Sequence, residues 1–229
     1  MTTHRKKGPV LLVTAFEPFD GAKTNSSLIM LEKLAEKDWG GRVAFLGPIP
    51  VSFAEAWPVI EHQLRRHPEI QGVICMGQAE GTTQISLERM ALNRMHASIP
   101  DNDGATPKGP VIKGAPQILK ATFPWHELEE APEWECSYNA GAYVCNSTMF
   151  NAINWAKAEG KHAGFIHLPL LESQKGDPGL GKHSPRVDDA VIEKGLCRII
   201  DFALDTLEPD LSRKAKPAPF HKPEGPRPT

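Results

Sequence analysis

The chain lacks the features that mark several large classes of protein. Its formal net charge of −2 is far from the positive excess of a general nucleic-acid or membrane-surface protein. No apolar run approaches the length needed to span a membrane, and no signal-peptide core follows the charged start. These absences predict a cytoplasmic protein with reduced thiols, no nucleic-acid partner and no membrane partner.

Cysteine is also scarce, and its spacing does not suggest metal binding. No two of the cysteines, which are Cys75, Cys136, Cys145 and Cys197, form a C-x-x-C pair. Neither a zinc site nor a disulfide framework is therefore indicated. No internal repeat is visible, and the 229 residues suit one domain with a substantial core.

Apolar runs alternate with amphipathic stretches along the chain. Buried strands are predicted at 10–16, 42–50, 72–77, 85–93 and 164–170. Helices are predicted at 25–36, 52–67, 117–122, 146–158 and 188–207. The second helix is expected to start at a Ser52-Phe-Ala-Glu55 capping box and to kink at Pro58. This order predicts an α/β fold, a three-layer α/β/α sandwich around a mostly parallel twisted sheet.

The two ends of the sequence differ from the middle in composition. We predict a flexible N-terminal tail at 1–8, a single α/β domain at 9–211 and a disordered, proline-rich tail at 212–229. Removal of the C-terminal tail is therefore expected to change the stability of the domain very little.

Cys145 lies where the small-residue segment Asn139-Ala-Gly-Ala-Tyr-Val144 meets a predicted helix. Unpaired N–H groups at a helix N terminus stabilise an anion, so a thiol placed there is a candidate nucleophile. The alternative is a buried structural thiol, because free cysteine is among the most buried residue types. This segment alone leaves both interpretations open.

Two further ionisable residues lie in predicted strands. His167 comes late in its strand, where catalytic groups of parallel sheets gather, although a buried histidine is more often a core residue. Glu88 lies among apolar residues and must be exposed at an edge, paired or functional. A cysteine, a histidine and an orienting carboxylate can serve as nucleophile, base and tautomer-fixing group. Whether these three meet depends on the fold.

Several short segments occur together in one order. They are Ala15-Phe-Glu-Pro-Phe19, Gly77-Gln-Ala79, Ile85-Ser-Leu-Glu-Arg-Met-Ala-Leu-Asn93, Ile99-Pro-Asp-Asn102, Ala140-Gly-Ala-Tyr-Val-Cys-Asn146 and Gly164-Phe-Ile-His-Leu-Pro169. With this combination the chain resembles the pyroglutamyl-peptidase I family of cysteine peptidases, also called pyrrolidone-carboxylate peptidases. The resemblance covers residues 9–207, and the combination is specific although each segment alone would be weak.

The resemblance implies a cysteine exopeptidase that removes N-terminal pyroglutamate from small peptides through a thioester acyl-enzyme. It implies no metal or cofactor, and assembly as a homodimer or homotetramer. By motif position Cys145 is the nucleophile, His167 the general base and acid, and Glu88 the group that orients His167. Contacts with the pyroglutamyl ring are implied for Phe16, Phe19, Gln78, Tyr143 and Val144. A flat five-membered lactam suits aromatic walls with a few polar contacts.

The chain also departs from the family pattern. The departures are Ala15 and Asp20 in place of glycine, Glu80-Gly-Thr82 in place of Gly-Gly-Arg, and Ser98 in place of an arginine. Arg94 and His96 are candidate substitutes for that arginine. The departures leave two alternatives: a related cysteine amidase or peptidase for another N-terminal group, and a family-derived binding or scaffold protein with little or no turnover.

Overall fold

The computed structural model describes residues 10–208, and its strands and helices largely follow the predicted alternation. The strands are β1 (Val10–Phe16), β2 (Val43–Ile49), β3 (Ile70–Gln78), β4 (Ile85–Glu88), β5 (Met90–Leu92), β6 (Met95–His96), β7 (Lys108–Gly109), β8 (Ile118–Lys120), β9 (Trp134–Ser137), β10 (His162–Leu168), β11 (Leu170–Leu171) and β12 (Arg186–Val187). The α-helices are α1 (Ser26–Ala35), α2 (Ala56–Arg66), α3 (Val144–Glu159) and α4 (Asp189–Leu207). Single 3₁₀ turns lie at Trp125–Glu127 and Glu172–Gln174. The predicted tails at 1–8 and 212–229 lie outside the described residues.

The central sheet has six strands in the order β2-β1-β3-β10-β4-β9. β1 pairs in parallel with β2 and β3, and β3 pairs in parallel with β10. β4 runs antiparallel to β10 and parallel to β9. The predicted α/β fold with a mostly parallel sheet is therefore confirmed. Because β1, β3 and β10 run in one direction, their carboxyl ends meet at one edge, where sites in such sheets form.

Helices cover both faces of the sheet, because alternate residues of each strand point to opposite faces. On one face Leu11 and Val13 pack with the apolar sides of α1 and α4. On the other face Leu12, Val73 and Phe165 pack with α2 and α3. Burial of each large apolar side chain stabilises the fold by about 1.5–3 kcal/mol. The predicted three-layer sandwich is thus built from two apolar clusters separated by the sheet.

Local signals explain where the main helices begin and end. Asn25 caps α1 by accepting a hydrogen bond from the Ser27 N–H, and Asp188 caps α4 through the Ala190 N–H. α3 ends at Gly160, whose φ of 63° lies in the left-handed region that favours glycine. Among residues 10–208, the helices all fall short of the length and apolarity needed to cross a membrane.

The start of α2 was predicted four residues too early. The Ser52 hydroxyl accepts hydrogen bonds from the N–H groups of Ala54 and Glu55, at 3.2 and 3.1 Å, but these close a separate turn before the helix. Pro58 then lies in the first turn of α2, where a missing N–H leaves no helical bond unmade. The helix accordingly runs without interruption to Arg66.

Two predictions between 85 and 122 are wrong. The single strand at 85–93 is divided at Arg89, whose N–H bonds the Ser137 carbonyl while its own carbonyl accepts the Ala121 N–H. The helix predicted at 117–122 is instead β8, which pairs antiparallel with β5. Pairing between β8 and β5 satisfies the backbone N–H and C=O groups of both short strands. This contact between distant parts of the chain outweighs the helical pattern of residues 117–122.

Candidate active site

His167 and Glu88 form a buried pair near the carboxyl edge of the sheet. His167 lies in β10 and is 9% exposed, and Glu88 ends β4 and is 2% exposed. The antiparallel register places both on one face, and Glu88 Oε1 lies 2.8 Å from His167 Nδ1. The second carboxylate oxygen of Glu88 has no hydrogen-bond partner among residues 10–208. His167 is therefore the group that compensates this buried carboxylate.

Cys145 approaches the same face as the second residue of α3. A β-carbon added to Gly77 would lie 3.1 Å from Cys145 Sγ and 3.0 Å from Phe165 Cζ, so glycine leaves room for the thiol. Within the described part of the chain, no side chain caps the first turn of α3. The first N–H groups of this helix stay available to an anion beside Cys145.

The electrostatics link Cys145 to the buried pair. Burial alone would lower the pKa of His167, but hydrogen bonds with Cys145 and Glu88, and the charges of both, raise it to about 9. Because Nδ1 bonds Glu88, the other ring nitrogen of His167 is the one left to exchange a proton with the sulfur. Cys75 differs, because it is fully buried in the core and burial raises the pKa of its thiol to about 12.

Asn146 attaches the start of α3 to β5. It is fully buried, and its Oδ1 accepts the Leu92 N–H at 2.8 Å. Its Nδ2 donates to the carbonyls of Leu92 and Arg94, each at 2.9 Å. The side chain thus bonds the edge of β5 as a neighbouring strand would, next to Cys145. No role was predicted for Asn146; a polar residue directly after the candidate nucleophile was the available signal.

A small apolar cavity opens beside Cys145. The residues predicted to contact a ring all line it, and they are Phe16, Phe19, Gln78, Tyr143 and Val144. Phe16 is fully buried at the end of β1, whereas Phe19 and Tyr143 are half-buried, with ring centroids 6.2 Å apart. A larger cavity of about 450 Å³ on the 172–186 loop is lined by none of these residues.

Polar contacts hold the loops around the cavity. Glu17 Oε1 accepts the Val51 N–H at 3.0 Å and the Asn102 side-chain amide at 2.7 Å. The Tyr143 hydroxyl donates to the Pro100 carbonyl at 2.9 Å. Burial raises the pKa of Tyr143 to about 12, so the phenol remains a donor. Four separate segments of the chain therefore meet through these contacts where the cavity opens.

The substituted positions lie outside this cavity. Glu80 accepts hydrogen bonds from the Gly181 N–H, at 3.0 Å, and from the Ser184 hydroxyl, so its charge is bound to the 181–184 loop. Ser98 is exposed. Arg94 and His96 line a different cavity, so their positions do not support the suggestion that they replace the missing arginine. In the described range, no three His, Cys, Asp or Glu side chains are grouped to hold a metal ion.

The fold and the site together define a class of protein. An α/β sandwich carries a Cys–His–carboxylate series at the edge of its sheet, an arrangement typical of enzymes that transfer acyl groups through cysteine. The pyroglutamyl peptidase family model matches residues 10–203, and the chain belongs to this family.

Comparison with individual proteins agrees over most of the chain. A pyrrolidone-carboxylate peptidase of Gloeobacter violaceus is 37% identical over 171 residues, which cover 72% of this chain and 83% of the relative. One from Thermococcus kodakarensis is 33% identical over 213 residues, covering 89% and 98%. The solved pyrrolidone carboxyl peptidase of Thermococcus litoralis aligns with a TM-score of 0.77 at 31% identity, covering 87% and 94% of the two chains.

Proposed function

We propose that this chain is a cysteine exopeptidase that hydrolyses the N-terminal pyroglutamyl residue from small peptides. The observation that carries the proposal is the buried Glu88–His167 hydrogen bond, with Cys145 at the start of α3 and an apolar cavity beside it. Membership of the pyroglutamyl peptidase family, and relatives named pyrrolidone-carboxylate peptidase, support the same substrate.

The cavity suits a lactam better than an ordinary N terminus. Phe16, Phe19 and Val144 offer apolar surface to a flat ring, Tyr143 lies at the mouth, and Gln78 offers a polar group. A charged amino group would lose its hydration in such a cavity without a carboxylate to replace it. Pyroglutamate, which has no free amino group, avoids this cost.

The proposed reaction is acyl transfer in two steps. The Cys145 thiolate attacks the pyroglutamyl carbonyl, and the Cys145 N–H with neighbouring donors at the start of α3 stabilises the oxyanion. His167 protonates the leaving amine as its C–N bond breaks, which leaves a thioester on sulfur. Neutral His167 then takes a proton from water, which attacks the thioester and releases pyroglutamate. Glu88 holds His167 in the required tautomer throughout.

The test is release of fluorescent amine from a pyroglutamyl-coumarin amide. We expect the wild-type chain to cleave it, and to leave the alanyl and prolyl amides intact. Cys145→Ala should have no activity at an unchanged melting temperature. Cleavage of another N-terminal group would favour the related amidase. No turnover, together with a Cys145 thiol inert to iodoacetamide, would favour the scaffold alternative.

Two further proposals concern assembly and location. Assembly as a homodimer or homotetramer follows only from the family resemblance, and a cytoplasmic location only from features that the sequence lacks. Both stay predictions.

A further inference from the structure

Gln174 is a buried side chain that joins a distant loop to the lactam cavity. It is 1% exposed and lies in the 3₁₀ turn after β11. Its Nε2 lies 2.8 Å from Gln78 Oε1 and 3.1 Å from Thr24 Oγ1, and its Oε1 accepts the Leu171 N–H at 2.9 Å. All the polar atoms of this amide are therefore engaged inside the protein.

Backbone donors determine how both glutamine amides are turned. A backbone N–H can only donate, so the Leu171 N–H requires the oxygen of Gln174 and leaves Nε2 to face Gln78. The Ser26 N–H, in the first turn of α1, likewise requires the oxygen of Gln78, at 2.8 Å. The two constraints are independent and they agree. Gln78 Oε1 receives two hydrogen bonds.

A carboxylate fixes the other end of the network. The Thr24 hydroxyl donates to Asp177 Oδ2 at 2.6 Å, which leaves its lone pair for Gln174 Nε2. Asp177 also accepts the N–H groups of Lys23, Thr24 and Gly179. Burial would raise the pKa of Asp177, but these hydrogen bonds outweigh it and lower the pKa. The ionised carboxylate keeps the Thr24 hydroxyl, and through it Gln174, in one orientation.

We propose that Gln174 is a positioning residue that makes the cavity specific for cyclic amides by fixing the orientation of Gln78. The inference rests on the proposed function. With its oxygen engaged twice, Gln78 presents Nε2 to the cavity, and no acceptor within residues 10–208 bonds that group. A donor at this place pairs with the carbonyl of a lactam. The ring of an N-terminal proline has the same size but lacks that carbonyl.

Two substitutions of Gln174 separate positioning from packing. Gln174→Glu keeps the shape and the oxygen that accepts the Leu171 N–H, but its second oxygen opposes Gln78 Oε1. Gln174→Leu loses all three polar contacts but places no acceptor against Gln78 Oε1, and the Ser26 N–H still holds Gln78. If Gln174 serves only packing, Gln174→Leu should bind the lactam more weakly than Gln174→Glu. If Gln174 positions Gln78, Gln174→Glu should bind the lactam more weakly than Gln174→Leu.

The readout is protection of Cys145 from iodoacetamide by 2-pyrrolidinone, which needs no turnover. We expect the lactam concentration that halves the alkylation rate to rise roughly ten- to hundredfold in Gln174→Glu and about threefold in Gln174→Leu. Alkylation without lactam should be unchanged. For the pyroglutamyl-coumarin amide, KM should rise in the same order while kcat changes little.

The outcomes are distinguishable. Absence of protection in the wild-type chain, equal protection in all chains, or a leucine variant worse than the glutamate variant would overturn the inference. If 2-pyrrolidinone protects Cys145 in the expected order of variants but the wild-type chain does not cleave the pyroglutamyl-coumarin amide, only the proposed function is overturned. If melting curves show that Gln174→Glu is unfolded, Gln78→Glu repeats the test, because it keeps the oxygen facing Ser26 and Gln174 and replaces the cavity-facing donor by an acceptor. Full protection in that variant would also refute the inference.

Discussion

The candidate site has two walls that are built in different ways. The catalytic wall, defined by Glu88, Cys145 and His167, lies on two strands and the start of a helix. The recognition wall, defined by Phe19, Gln78 and Tyr143, depends on the loops that surround it. Those loops are joined by side chains that bond backbone groups far away in the sequence. The reactive groups are thus placed by regular backbone. The ring-binding side chains are held by long-range polar contacts, including that of Gln78, whose own backbone ends β3.

The comparison has a kinetic consequence. Groups held by strands and helices keep their geometry when a loop contact is removed, because regular elements are packed into the core. Changes in the catalytic wall should therefore lower kcat. Changes in the recognition wall should raise KM.

The largest effect is expected for His167→Ala. Loss of the base and acid should lower kcat for the pyroglutamyl-coumarin amide by about 10³–10⁴, with little change in KM. Steady-state kinetics on a variant with a native melting curve would measure both constants. A variant that keeps a tenth or more of the wild-type kcat would remove His167 from the mechanism.

Ser98→Arg tests the division between the two walls, because Ser98 is an exposed loop residue and a change in kcat at a loop would contradict that division. If the family's arginine stabilises the transition state, restoring it should raise kcat, by roughly a hundredfold if it is worth one oxyanion donor. Affinity for substrate should change little. Equal kinetic constants in the variant and the wild type would show that the position serves the loop alone.

Glu88→Gln tests whether the charge of Glu88 raises the pKa of His167 in the catalytic wall. The pKa of His167 is raised to about 9, so the imidazolium exists below that pH and is lost above it. Without the Glu88 charge the pKa should fall, and the alkaline decline of kcat/KM should begin at a lower pH. At pH 7 we expect a further loss of roughly tenfold in kcat. An alkaline limb at the wild-type pH would contradict this assignment.

A smaller effect is expected at Glu17, which supports the recognition wall. Glu17→Leu removes the acceptor for Val51 and Asn102, so KM should rise about tenfold while kcat stays within about twofold. Glu17→Gln is the matched control, because its amide oxygen can accept the same hydrogen bonds. If the leucine variant loses kcat and keeps KM, the two walls are not separable.

The residues of the catalytic wall could be predicted from the sequence, whereas the side chains that hold the recognition wall in place could not. Cys145, His167 and Glu88 each lie in a short segment whose pattern predicted a strand or a helix start. The relation between Gln174 and Gln78 spans 96 residues and depends on how a loop crosses the edge of the sheet. No local periodicity reports such a contact. The helix predicted at 117–122 was wrong for the same reason, because the strand formed there pairs with β5, which lies elsewhere in the chain.

The most direct test of the account is to find the acyl group on the enzyme. Wild-type protein mixed with the pyroglutamyl-coumarin amide and quenched rapidly in acid should gain the mass of one pyroglutamyl group. Peptide mapping should place it on Cys145, and not on the exposed thiol of Cys136. Cys145→Ala should gain nothing. An adduct on another residue, or coumarin release by Cys145→Ala, would contradict the central claim.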